Sequence, residues 1–191
     1  MRSTIGIVIK RQNKGEYDQL LTLYTRKYGK IELLARGIRK QEAKLAGHAG
    51  LFCLSEVGFV VGKRHWVLTS AKEVEHFPKI RADAAKVQAA RHVVRLADTY
   101  TFPEEKDEAM FHLVVGAFDY LNRREMKPLE LKFFLRYFEF KFLSALGYEP
   151  EDKTIVKVFE SERVVLSERD LDRMEDVFSR YFASIYSSAR A

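Results

Sequence analysis

Cysteine is almost missing from this 191-residue chain: Cys53 stands alone. One thiol forms no internal disulfide and no multi-thiolate zinc site, so packing has to hold the fold. Cys53 lies in Leu51-Phe52-Cys53-Leu54, where a buried thiol acts as a small hydrophobe rather than a nucleophile. Long apolar runs are missing too. No stretch approaches the roughly 18 uncharged apolar residues that a membrane-spanning helix needs. The opening Met1-Arg2-Ser3-Thr4-Ile5 runs straight into a strand pattern with no apolar leader, so the expected location is the cytoplasm and no membrane partner is expected.

The marks of catalysis are absent as well. There is no glycine-rich phosphate loop, nucleophile elbow or His-Glu-x-x-His. The five histidines (His48, His65, His76, His92, His112) lack metal-ligand spacing. Carboxylate pairs such as Glu104-Glu105 fall in turns or at helix starts, where they complement the dipole or are solvated. No catalytic residue is assigned and an enzyme is not expected.

What is present is positive charge, unevenly placed. The formal net charge is +6. Residues 1–80 hold 15 Lys/Arg against 7 Asp/Glu, and residues 81–191 hold 18 against 20. A basic half beside a neutral half points to a polyanionic partner for the first. No basic amphipathic helix offers itself to a membrane surface, which leaves nucleic acid.

The basic half reads as strands. Ile5, Ile7 and Ile9 alternate in 4–11, Leu21 and Leu23 in 20–26, and Ile31, Leu33 and Ala35 in 31–36. A fourth strand covers 52–61 and a fifth 65–69, joined by a turn at Gly62-Lys63-Arg64. Five short strands in about seventy residues predict a small barrel. Residues 40–48 suit a helical turn. Beyond Arg81 the period becomes helical, predicting helices over 83–101, 104–123 and 128–146. A hairpin follows at 154–166. Ser167-Glu168-Arg169-Asp170, an N-terminal capping signature, opens a last helix. The fold class is α+β: a barrel domain over 1–80 and a helical domain over 81–191 carrying the small hairpin.

Cations interleaved with aromatics are the main functional signal. Between Met1 and Lys44 stand 11 Lys/Arg against 4 Asp/Glu. Lys10, Arg11 and Lys14 sit at one strand end, Arg26, Lys27 and Lys30 flank the next turn, and Arg36, Arg39, Lys40 and Lys44 crowd the connection after the third strand. On a barrel such groups line a track for a phosphate backbone, with Tyr24 or Tyr28 outward to stack bases; otherwise the lysines merely solubilise and Tyr24 packs. In the helical half, Arg91 and Arg95 lie one turn apart and Arg123 ends a helix. They either rim an apolar pocket for an acidic, hydrophobic peptide end or are simply solvated.

A run of residues carries a resemblance. Gly15-Glu16-Tyr17-Asp18-Gln19-Leu20-Leu21-Thr22-Leu23-Tyr24-Thr25-Arg26-Lys27-Tyr28-Gly29-Lys30-Ile31, then Ala35-Arg36-Gly37-Ile38-Arg39-Lys40 and Lys44-Leu45-Ala46-Gly47, resembles the start of the bacterial DNA repair protein family RecO. Phe77-Pro78-Lys79-Ile80-Arg81 and Leu146-Gly147-Tyr148-Glu149-Pro150 extend the likeness over about 1–150. The resemblance implies an OB-fold barrel and a helical domain. It implies binding of single- and double-stranded DNA, strand annealing and recombinase loading in recombinational repair, close to the nucleoid. Implied partners are the RecR protein and the acidic C-terminal tail of single-stranded DNA-binding protein. Carried over, Arg26, Lys27, Lys30, Arg36, Arg39 and Lys40 become DNA contacts, and Arg91, Arg95 and Arg123 tail contacts. Many members carry a four-cysteine zinc module after the Gly-Tyr-x-Pro segment. Here Glu151-Asp152-Lys153 follows with no cysteine, so neither zinc nor any other cofactor is expected. Two other readings remain open: an RNA-binding module, or a protein-interaction adaptor whose basic half meets an acidic partner.

Overall fold

In a computed structural model of the chain, residues 1–43, 45–148 and 167–188 are described. Lys44 and the hairpin expected at 154–166 lie outside the described residues. The chain divides into two compact units, Met1–Arg123 and Arg124–Ala191.

The first unit begins with five strands: β1 (Arg2–Lys14), β2 (Asp18–Thr25), β3 (Gly29–Ala35), β4 (Leu54–Val61) and β5 (Trp66–Glu75). They close into a barrel in the order β1-β2-β3-β5-β4. All neighbours are antiparallel except β3 and β5, whose parallel seam joins only Leu33 to Trp66 and Leu34 to Val67. Closure depends on the length of β1. Its first part pairs with β4 and its later part with β2, the two overlapping at Gly6 and Ile7. A register shift between Val8 and Lys10 turns the strand from one partner to the other, as a bulge does. At Gly6 a Cβ would meet Thr25 Cγ2 at 2.7 Å, so only glycine lets β2 approach this closely. This is the OB-fold barrel that the strand count and the resemblance led us to expect.

Val8, Leu21, Leu23, Ile31, Leu33 and Phe59 fill the interior, each contributing roughly 1.5–3 kcal/mol by leaving water. The face carrying Ile7 and Ile9 is the outer one, since Val8 pairs inward with Leu23, yet it is buried as well. Helices cover it.

Three helices share the barrel's unit. A single turn, α1 (Pro78–Arg81), leads into α2 (Ala84–Tyr100) and α3 (Glu108–Arg123). Asp83 caps α2, its carboxylate accepting from Ala85 N at 2.8 Å and Lys86 N at 3.2 Å. The buried face of α2 includes Ala90, Val94 and Ala97, as the periodicity predicts. On α3, the Phe118 ring lies 5.4 Å from Phe52 and 5.3 Å from Phe77, tying helix to barrel margin.

One expectation is corrected: α3 starts at Glu108 rather than at residue 104. Asp107 accepts from Met110 N at 2.8 Å and so fixes the helix start. Before it, Pro103 forms an isolated bridge with Lys30 at the start of β3, and Glu104 N donates to Lys30 O at 2.9 Å. Strand β5 also continues to Glu75, beyond the five residues its apolar run suggested.

The second unit holds α4 (Pro128–Ala145) and α5 (Glu168–Ser188). Lys132 meets Glu168 at 2.6 Å, Arg136 meets Glu175 at 3.5 Å, and Phe142 meets Phe182 at 6.3 Å between ring centres. Partners advance together along both helices, so the pair runs parallel. The capping signature forms: Ser167 N donates to Asp170 Oδ2 at 2.9 Å, and Asp170 N to Ser167 Oγ at 3.3 Å. Among the described residues no helix is long and apolar enough to cross a membrane.

Candidate nucleic-acid interface

The cations identified from the sequence fall into three groups on the barrel. The first gathers where the β1–β2 hairpin projects and the chain leaves β3. Arg39 N donates to Tyr17 O at 2.9 Å, Gly37 N to Asp18 Oδ1 at 2.7 Å, and Arg39 Nη1 to Gly15 O at 3.4 Å. Lys40 Nζ stands 5.5 Å from the centre of the Tyr17 ring, a cation–π contact. These bonds fold the 36–40 turn back onto the hairpin. Arg11 joins this end through Gln19, donating to its Oε1 at 3.0 and 2.6 Å, while Gln19 Nε2 donates to Asn13 Oδ1 at 2.9 Å. Arg11, Lys14, Arg36, Arg39 and Lys40 are all exposed, and among the described residues none has a carboxylate at ion-pair distance. Lys44 lies outside the described residues.

The second group sits on the β2–β3 turn at the other end of the hairpin. Lys27 is exposed, and its backbone N–H bonds Thr4 Oγ1 at 3.3 Å. Arg26 donates to Glu108 Oε1 at 2.8 Å and holds the Glu108 carboxyl below the usual carboxylate range. Both partners are about half exposed, so solvent screens the pair and it adds little to stability.

The third group, Lys10 and Lys30, faces outward but shares one counter-charge on α2. Asp98 Oδ2 lies 3.7 Å from Lys10 Nζ, and Asp98 Oδ1 lies 3.6 Å from Lys30 Nζ, which also donates to the Asp98 backbone oxygen. The Lys30 side chain is only 13% exposed, and burial holds its ammonium below the ordinary lysine value despite Asp98. Reading Lys10, Arg26 and Lys30 as open cations therefore needs correction: each meets a carboxylate from a helix that strand alternation does not show.

Tyr24 is corrected more fully. It points away from the barrel interior, as alternation predicts, but is 1% exposed and presents no ring face to a base. Burial, with Asp107 and Glu105 nearby, pushes its phenol well up. Tyr28, the other stacking candidate, sets its ring edge-on to Phe59 at 5.4 Å and Trp66 at 6.0 Å, and carries Arg2 5.9 Å over its centre.

Arg91 and Arg95 come together on α2. With Ile9, Leu51, Phe52 and Val94 they line a cavity of about 210 Å³, Arg95 Nη2 standing 2.9 Å from His92 Nδ1. Arg123 is elsewhere, paired with Asp119 on its own helix at 2.8 Å. Missed altogether is the β4–β5 turn. Lys63 and Arg64 wall a larger cavity of about 510 Å³ on the outer face, opposite Lys10 and Lys30. In five-stranded barrels of this kind the β1–β2 and β4–β5 loops flank the oligonucleotide face, so the basic turn in Gly62-Lys63-Arg64-His65 was an available signal.

Residues 1–77 match the family described as "Recombination protein O N terminal", and residues 81–153 match "Recombination protein O C terminal". The chain belongs to the RecO family. It is 30% identical over 154 residues to the DNA repair protein RecO of Acetivibrio thermocellus, covering 81% of this chain and 60% of that protein. For the protein of the same name from Roseiflexus sp. (strain RS-1) the identity is 31%, covering 78% and 50%; for that from Dehalococcoides mccartyi it is 32%, covering 78% and 57%. The chain thus spans about half to three-fifths of the length of these RecO relatives. The two family matches abut near residue 80, where the RecO barrel gives way to helices.

Proposed function

We propose that this chain binds single- and double-stranded DNA through the basic end of its barrel, takes part in DNA repair, and promotes annealing and recombinase loading without covalent chemistry. One observation carries the reading: Arg11, Lys14, Arg36, Arg39 and Lys40 share one end of the barrel, exposed and without carboxylates at ion-pair distance among the described residues. Exposed cations without a carboxylate partner gain affinity by releasing counterions from DNA. The name borne by its relatives, DNA repair protein RecO, supports the assignment to repair. No zinc site is proposed for this chain, whose single thiol, Cys53, supplies no thiolate cluster. Partners are the RecR protein and the acidic tail of single-stranded DNA-binding protein. The cavity lined by Arg91, Arg95 and Lys10 with Ile9, Leu51, Phe52 and Val94 is the proposed tail site, three cations against the one carboxylate of Asp98; Arg123, paired with Asp119 and not among its lining residues, is left out.

The test is the triple variant Arg36→Glu/Arg39→Glu/Lys40→Glu, titrated by fluorescence anisotropy against a labelled single strand and a duplex. Its affinity should fall on the order of a hundredfold for all sequences alike. An unchanged affinity in a folded triple variant contradicts the reading.

A further inference from the structure

The outer-face cavity of about 510 Å³ has no part in that reading. Its size lies within the range of small-ligand sites, with room for one nucleotide. Four cationic side chains converge on it: Lys10 from β1, Lys30 from β3, and Lys63 and Arg64 from the β4–β5 turn. Lys63 and Arg64 are exposed and have no ion pair among the described residues. Opposite them stand Asp98, Glu32 and Glu104, which hold the cavity close to neutral.

Asp98 occupies the decisive position. Its two carboxylate oxygens reach different ammonium groups, at 3.6 and 3.7 Å. That is how a phosphodiester, with two anionic oxygens, bridges two lysines. Both distances exceed the roughly 2.7–2.9 Å of a charge-assisted hydrogen bond, so the carboxylate itself grips each ammonium loosely, while Lys30 Nζ keeps its separate bond to the Asp98 backbone oxygen. Asp98 keeps about a third of its side-chain surface in solvent, leaving an approach for a second anion. Lys30 gives it a strong reason to enter, because an ammonium this far removed from water depends on a nearby negative charge.

The cavity lies beside the β4–β5 turn, on the face where barrels of this kind take oligonucleotides; we propose that Asp98 is a resident competitor at this subsite, giving up Lys10 and Lys30 when a phosphodiester of a bound strand arrives. The proposal rests on the barrel being a DNA-binding surface. It extends that surface around the barrel from the hairpin end to the β4–β5 turn. It also makes Asp98 an internal brake on affinity: the strand has to displace a carboxylate before it gains these contacts.

The experiment titrates a labelled thymidine 20-mer, by anisotropy at several salt concentrations, into the full chain and three variants. Asp98→Asn should bind about three- to fivefold tighter, the change expected when one surface ion pair is lost. Lys63→Glu/Arg64→Glu should bind on the order of tenfold weaker, with a salt slope shallower by about one. An unchanged affinity in either variant overturns the subsite, and if Asp98→Asn does not fold, the exposed Lys63/Arg64 pair decides alone. Arg36→Glu/Arg39→Glu/Lys40→Glu separates the two claims. Loss of binding there with no effect at residues 63, 64 and 98 removes the subsite and leaves the barrel reading standing. No effect in any variant removes both. Thymidine monophosphate added to the wild-type complex settles the source of the phosphate: failure to displace the strand supports the subsite, while full displacement makes the cavity a free-nucleotide site and overturns it.

Discussion

Tyr24 and Lys30 are cross-strand partners on β2 and β3, and the same neighbourhood closes over both. Lys30 reads from the sequence only as a residue of the turn before β3, while alternation sets Tyr24 on the outer face. It did not show that this face is covered, because the covering groups, Asp98 and residues 101–107, come some seventy residues later in the chain. Tyr24 is therefore a packing residue, and its variants should behave as such. Tyr24→Phe should bind single-stranded DNA within about twofold of wild type, whereas Tyr24→Ala should lose about 3–5 kcal/mol of stability in urea titration. The phenol adds a pH signature. It resists ionisation in the fold, while the unfolded chain releases the proton near its ordinary value of about 10. The unfolded state thus sheds its proton first, and stability should fall as pH rises above about 10. An exposed ring that stacks bases would instead show ordinary titration, and its loss in Tyr24→Ala would cost DNA affinity rather than fold stability.

Elements were more legible than their contacts. All five strands and the long helices follow from period and punctuation, since barrel and helix faces leave different spacings in the sequence. Boundaries shifted where a cap decided them, as Asp107 does for α3. Gly29 shows the remaining gap. Tyr28-Gly29-Lys30 reads as a break between strands, and Gly29 does have a left-handed φ of 61°. Its second role is invisible locally: a Cβ there would overlap the backbone carbonyl of Glu105, in the connection that crosses β3. Gly15 also has positive φ, at 66°, but open space around it. The two glycines therefore separate strain from docking. Gly15→Ala should cost about 1 kcal/mol, and Gly29→Ala about 2–4 kcal/mol because overlap adds to strain. Equal losses in thermal or urea unfolding would show that the connection does not press on this turn.

At the scale of the whole molecule, charge asymmetry was the most transferable signal in the sequence. It separates a basic half from a neutral one, but it does not say which of the basic residues stay unpaired. Among the described residues, Lys10, Arg26 and Lys30 each meet a carboxylate, whereas Arg11, Lys14, Arg36, Arg39, Lys40, Lys63 and Arg64 do not. Net charge counts groups without knowing which helix will neutralise them. What remains is the basic barrel end through which DNA binding is proposed, and binding there has to be dominated by counterion release. The direct measurement is the slope of log Kobs against log salt concentration for a single strand between about 50 and 200 mM. Five unpaired cations predict a slope near −3 to −4. A slope near zero, with binding intact, would contradict the account.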